Sequence, residues 1–279
     1  MLQFTIVTGL MLCSISGGYI FGQMSGMVNA LRNANGLSED DVSWIASTIN
    51  ITCVCGFAIA GMISERLGRR RAIVLLSLPV LFTWVMIYYS TSMTAFLFSR
   101  ILVGVSHGGL IFLLYASMAE YSTPSKRAVY LNVISAVGPA LGMTMGHILC
   151  ILLHWRTVAL LGIVPTGVSM VLPLFWVESP SWLASKGRFE ECERAFRELH
   201  GYSDASEAEL RLLVNFEQSK RMEFSPKEQR VHGFIDKLAV ALRKRYFWKV
   251  VLLCVVDCDT IGPTLEYDAR VLPLLKLRP

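Results

Sequence analysis

Long uncharged apolar stretches alternate with short clusters of charge over the first two thirds of the chain, and a charge-rich pattern of helical period follows them. A bilayer core about 30 Å thick takes roughly 20 apolar residues in a helix. Six stretches qualify: 1–31, 42–64, 72–99 with a Ser/Thr-rich turn at 89–94, a fourth starting near 95 and running through Arg100 to 119, 128–155, and 157–177. The first exceeds the roughly 7–15 apolar residues of a signal peptide and has no basic residue ahead of it, so a retained helix is expected. Short loops rich in Lys and Arg stay in the cytoplasm. The second loop carries Arg66, Arg69, Arg70 and Arg71 and the fourth Lys126 and Arg127, whereas the first sets Arg32 against Glu39, Asp40 and Asp41. The N-terminus and residues 178–246 are therefore expected on the cytoplasmic side of the cell membrane.

After 177 the apolar positions follow the spacing of surface helices. Over 189–200, Phe189, Cys192, Ala195, Phe196 and Leu199 fall on one stripe, ended by Gly201; over 207–221 the stripe is Leu210, Leu213, Val214 and Glu217. A third amphipathic stretch, 231–242, leads to Arg243, Lys244 and Arg245. An apolar run then starts at Phe247 but meets Lys249, Asp257, Asp259 and Pro263 too soon to span, which predicts an incomplete seventh helix and an atypical tail over 246–279. The fold class expected is an all-α membrane protein: a six-helix bundle over 1–177, a cytoplasmic helical linker domain over 178–245, and a truncation at the seventh helix.

Composition agrees with two solvents. Hydrophobic residues make up 53% of the 279 and charged residues only 17%, and 25 of the charged ones crowd into 178–246. A water-soluble enzyme is excluded on that balance. The net charge of +5 sits in loop clusters without a nucleic-acid motif, so no nucleic-acid partner is expected; the partner is the lipid bilayer. Seven cysteines, an odd number, make no disulfide framework, and Cys254 and Cys258 lack a third ligand, so neither metal nor cofactor is expected. No nucleophile and base pair or phosphate loop suggests catalysis.

Small residues recur every fourth position: Gly18, Gly22 and Gly26; Gly104 and Gly108; Gly138, Gly142 and Gly146. Such rows let helix backbones touch, either within a bundle or between copies. Pro139, Pro165 and Pro173 offer bends. Arg100 and Glu120, inside the fourth stretch, each need a partner, a water-filled cavity or, for Arg100, the outer interface. Glu120 has the arginine-rich second loop and Arg127 within reach, which predicts an ion-pair cluster.

These residues resemble major facilitator superfamily sugar transporters. The run Gly61–Arg70, containing Glu65, Arg66, Gly68 and Arg69, is similar to that family's loop between helices two and three; Arg100 with Gly104, followed by Tyr115, Glu120 and Arg127, is similar to its fourth-helix motif; and Trp155, Arg156, Glu178, Pro180, Trp182 and Leu183 resemble its stretch after helix five. The matches cover 18 to about 200 in the family's order. The Ser-Glu-Asp-Asp-Val-Ser-Trp entry at 38–44 and Ser-Trp-Leu-Ala at 181–184 look most like insect facilitated trehalose transporters. The resemblance implies the N-terminal half of a hexose or trehalose carrier working by alternating access, with Glu65, Arg66, Arg69, Arg70, Arg100, Glu120, Arg127 and Glu178 as gating charges. Ser181 and Val177 depart from the family's usual Arg and Pro.

The same resemblance implies substrate contacts. Phe21 matches a cavity-lining aromatic, Gln23 and Asn29 are polar candidates on that helix, and Ser135 falls where the family has a glutamine, with Asn132 one turn earlier. Proton symporters of the family carry Asp at the position of Met24; a methionine cannot titrate, and His107 and His147 read better as packing residues, so facilitated diffusion of a small-molecule sugar is expected. The family's seventh- and tenth-helix sugar contacts have no counterpart. A truncated, non-transporting membrane protein or interaction partner is the alternative. In either case the glycine rows are expected to face lipid or another copy, giving self-association.

Overall fold

The computed structural model describes residues 2–35, 39–90 and 92–223. The third amphipathic stretch and the whole of 246–279 lie outside the described residues. The order is α1 (Leu2–Asn35), α2 (Glu39–Leu67), α3 (Arg69–Tyr89), α4 (Met93–Tyr121), α5 (Pro124–Asn132), a π-turn (Val133–Val137), α6 (Gly138–Leu152), α7 (Trp155–Leu161), α8 (Ile163–Val171), a 3-10 turn (Leu172–Phe175), α9 (Pro180–Ser185), α10 (Phe189–His200) and α11 (Asp204–Glu223). Six segments among the described residues are long and apolar enough to cross a membrane; the fifth, Ser125–Leu152, joins α5 to α6, and the sixth, Trp155–Phe175, contains α7 and α8. The chain is a multi-pass helical membrane protein.

Local chemistry sets the breaks. The apolar stretch 72–99 is cut where Ser90 leaves α3 in an extended conformation and the Ser92 Oγ caps α4 by accepting from the Ala95 N–H. The fifth span keeps its direction through the π-turn, where the Gly138 N–H reaches the Val133 carbonyl. Pro139 follows immediately, lacks a donor, and crowds the carbonyl four residues before it. Pro173 lies in the tightened end of the sixth span.

Spans pair α1 with α6 and α2 with α4, with α3 and α8 closing the bundle. The glycine rows make the first two pairings close. A side chain at Gly18 would meet the Pro139 backbone, at Gly22 the Met143 backbone, and at Gly142 the Ile15 backbone, while Gly108 lies on the Cys53 backbone and Gly56 on Val105. This corrects the expectation that these rows face lipid or a second copy: they face one another inside the chain. Without water in the bilayer, interior polar groups need protein partners. Ser16 Oγ lies 2.7 Å from Thr166 Oγ1, which also accepts from Trp84 Nε1 at 3.0 Å, and the Tyr19 hydroxyl donates to the Val158 carbonyl at 2.7 Å. Buried aromatics Tyr19 and Trp84 meet edge to face across α1 and α3.

Beyond the spans, α9 to α11 hold a small core of their own. Leu183, Ala184, Cys192, Ala195, Phe196 and Leu210 are buried together, with Leu213 and Val214 against them. The expected stripe on α10 is thus the packed one. Gly201 ends that helix at φ 71°, a positive-φ conformation open to glycine because it lacks a Cβ. Residues 1–220 form one compact unit.

Candidate functional site

At one end of the bundle α2 ends, α3 begins, α4 ends and the chain leaves the sixth span. Gly68 makes the turn between α2 and α3 at φ 91°, and a side chain there would strike the Glu178 carboxylate. Glu178 Oε1 accepts from three backbone N–H groups, those of Arg69 (2.9 Å), Arg70 (3.3 Å) and Ser179 (3.1 Å). It therefore occupies the positive end of α3, where the first turn's donors have no helical partner. The carboxylate of a residue 109 positions away does what a local Ser or Asp cap does in an ordinary helix.

The arginines that follow divide their work. Arg69 turns to α4 and donates to Glu120 from Nε (3.2 Å to Oε1, 3.0 Å to Oε2) and from Nη2 (2.8 Å to Oε1). Arg70 turns to the sixth span and donates to the carbonyls of Trp176 and Leu174, each at 2.6 Å. These are the carbonyls that a helix's last turn leaves without a partner. Tyr121, next to Glu120, donates its hydroxyl to the Val177 carbonyl at 3.0 Å. Trp182 Nε1 donates to the Glu65 carbonyl at 3.1 Å, tying α9 to α2. The charge-assisted bonds of Arg69, Arg70, Glu120 and Glu178, with these two neutral ones, hold four segments in one arrangement.

Several members expected in the cluster have other positions. The Arg66 side chain is exposed on the last turn of α2. Arg127 donates to the Ser122 carbonyl at 3.3 Å, bracing the α4–α5 turn. Arg100 is not a gating ion pair of this cluster: it lies 20 positions before Glu120 on the same helix, about 30 Å away at 1.5 Å per residue. It is fully buried, and among the described residues its hydrogen bond runs from Nη2 to Met27 Sδ at 3.2 Å. Sequence reasoning missed Gly68, Tyr121 and Trp182 as parts of the junction; the Gly68 position between two helical runs was the available signal.

The sugar-contact candidates do not share one cleft. Phe21 is half-buried and packs edge to face on His107 at 5.3 Å. Gln23 is completely buried in α1. Asn132 and Ser135 are exposed on the fifth span beside the π-turn, where the Ser135 hydroxyl donates to the Asn132 carbonyl at 3.2 Å. The side chain of Asn29 lies outside the described residues. One apolar cleft runs between α1 and the fifth span, lined by Val7, Met11, Tyr130 and Ile134, and includes none of these candidates.

Comparisons place this arrangement among known proteins. The solved proton:xylose symporter XylE, in its complex with 6-bromo-6-deoxy-D-glucose, superposes with a TM-score of 0.72 at 20% identity over 79% of this chain and 54% of that one. The fold is thus that of the major facilitator transporters. Among curated relatives, sugar transporter ERD6-like 6 of Arabidopsis thaliana is 25% identical over 92% of this chain and 51% of its own length. Facilitated trehalose transporter Tret1 of Polypedilum vanderplanki is also 25% identical, over 74% of this chain and 41% of its own length. The plant relative matches more of the chain at the same identity, so the likeness does not single out the insect trehalose type. The chain spans about half the length of these relatives. A family model described as "Sugar (and other) transporter" matches residues 4–260, and the chain belongs to that family.

Proposed function

We propose that the chain serves as the first six-helix bundle of a facilitative sugar carrier, and that the junction of Gly68, Arg69, Glu120 and Glu178 is its cytoplasmic gate. The observation that carries this reading is the junction itself: span ends are joined by charge-assisted bonds of Arg69, Arg70, Glu120 and Glu178, and α9 is tied to α2 by the neutral Trp182–Glu65 carbonyl bond. A pair of this type contributes about 1.5–3 kcal/mol, and a two-state equilibrium shifts tenfold for each 1.4 kcal/mol. Breaking it on one side of the membrane is therefore enough to favour the other state. Residues 178–220, with α9 and α10, act as the cytoplasmic helical domain that moves with the gate.

The family resemblance, and not a shared cleft, is what supports Phe21, Gln23, Asn29, Asn132 and Ser135 as this bundle's part of the sugar site, an aromatic face with amide and hydroxyl partners. The substrate is a hexose or a disaccharide of the trehalose type. Met24 offers no proton, which favours passive transport. Alternating access needs a second bundle to rock against. Uptake of labelled glucose and trehalose into oocytes is the test, for the 279-residue chain and for a fusion appending the second six-helix half of the plant relative. Saturable uptake by the fusion alone is expected. Absence of uptake by both, with both at the cell surface, would overturn the carrier reading.

A further inference from the structure

Arg100 is an unusual group to find in the middle of a membrane bundle. Its relative exposure is 0%, and it is among the largest fully buried side chains of the chain. Nε and Nη1 have no hydrogen-bond partner among the described residues, and Nη2 meets only the thioether of Met27, a weak acceptor. The ion pairs among the described residues leave it out. Many serine and threonine hydroxyls of the bundle are satisfied by carbonyls or by one another, while those of Ser90 and Ser117 are buried without a partner among the described residues. Arg100 stands apart in carrying a full charge with both Nε and Nη1 unpartnered.

A second buried polar group lies on the helix that supplies Met27. Gln23 lies four residues before Met27 on α1, so the two side chains occupy one face of that helix. Gln23 also has 0% exposure, and neither its amide oxygen nor its amide nitrogen has a partner among the described residues. Ile20, Met24 and Met27 on α1 and Phe96 and Val103 on α4 are buried, and one turn along α4 Gly104 packs on Ile49 and the Thr52 hydroxyl of α2. Burying a lone guanidinium costs several kcal/mol unless a counter-charge lies against it, since arginine does not escape by giving up its proton as lysine does.

We propose that Arg100 holds a small monovalent anion, a halide or a compact carboxylate, inside the bundle between α1 and α4, with the Gln23 amide as a second donor. Arginine alone supplies the charge; the amide nitrogen of Gln23 adds selectivity for an acceptor over a cation. Met27 marks the side from which an internal carboxylate could replace that anion, because its Sδ already lies 3.2 Å from Nη2. The site does not depend on sugar transport and is tested without it.

The experiment is thermal unfolding of the purified 279-residue chain in detergent at constant ionic strength. Sodium chloride or sodium acetate replaces sodium 2-(N-morpholino)ethanesulfonate, whose anion is too bulky for the site. A saturable rise in melting temperature of roughly 5 °C is expected for a site filled well above its dissociation constant. A response to chloride but not acetate assigns a halide, and the reverse assigns a carboxylate. Arg100→Met should abolish the response. Met27→Glu, which leaves the arginine in place and gives it a carboxylate, should abolish it too. No rise in the parent chain, or an equal rise in the parent and in whichever variant folds, would overturn the proposal.

Discussion

Arg69 and Glu120, 51 positions apart, meet through three donor–acceptor contacts of 2.8 to 3.2 Å, and each side chain retains less than a fifth of its surface. The contact joins the first turn of α3 to the last turn of α4. Both groups are shielded enough that solvent does not screen their attraction as it would for an open surface pair.

A double-mutant cycle measures that contact. Arg69→Gln, Glu120→Gln and the double variant, unfolded in detergent, should give a coupling of about 1.5–3 kcal/mol. Arg69→Lys should recover less than half of it, because an ammonium cannot place two donors on one carboxylate. Coupling below about 0.5 kcal/mol would show the pair to be an ordinary exposed one.

Gly68 and Gly201 both sit at positive φ, 91° and 71°, but only Gly68 has neighbours where a side chain would go. Alanine at Gly201, whose φ of 71° and ψ of −171° fall in a region that only glycine populates, should cost about 1–3 kcal/mol. At Gly68 the same change adds collision with the Glu178 carboxylate and displacement of the cap on α3, so a loss at least about 1 kcal/mol larger is expected. Melting of the two variants side by side checks this; equal losses would remove Glu178 from the capping role.

The sequence made the spans readable because charge in lipid is costly enough to leave a gap at every loop. It showed the acids and arginines of the junction for the same reason. It did not show that Glu178 binds backbone amides, since a cap is visible in sequence only when it lies beside its helix, and this one arrives from 109 positions away. Nor did it show the isolation of Arg100. Whether a buried arginine has a carboxylate depends on which residue of α1 faces α4, and here that residue is Met27. The glycine rows were readable as contact surfaces, but a row carries no label for its partner; the match of Gly18 and Gly22 to Pro139 and Met143 is set by the register of two whole helices.

Acid should loosen the helices after the spans in two stages. Burial against Phe196, at a ring separation of 4.5 Å, holds His200 below its ordinary value of 6.5, with Glu209 opposing. A histidine depressed in the folded state binds its proton more readily when unfolded, so stability falls as the pH drops through about 6.5. Glu207 is held below its ordinary 4.5 chiefly by the hydrogen bonds from Arg197. Its contribution is complete above about 4.5 and is lost as the pH falls through the lower folded value. Amide hydrogen exchange of α10 and α11 across pH 7.5 to 3.5 should show both steps, corrected for intrinsic exchange. His200→Gln should remove the first and Glu207→Gln the second; unchanged profiles in both variants would exclude these groups as the cause.

The orientation of the bundle rests on its loops. Arg66, Arg69, Arg70 and Arg71 lie around the α2–α3 turn and Lys126 and Arg127 around the α4–α5 turn, while the α3–α4 turn at Ser90–Ser92 carries no basic residue. Basic short loops resist translocation, so the junction end should face the cytoplasm. Arg69 and Arg70 are engaged by Glu120 and by carbonyls, but Lys126 is exposed at the same end, so the bias survives the pairing. Single cysteines at Ser92 and Lys126, in a background where the native cysteines are replaced, report the two faces to a membrane-impermeant maleimide on intact cells. Labelling is expected at position 92 at once and at position 126 only after permeabilisation. Immediate labelling at 126 with protection at 92 would invert the topology and place the Arg69–Glu120 contact outside the cell, where it could not be the cytoplasmic gate.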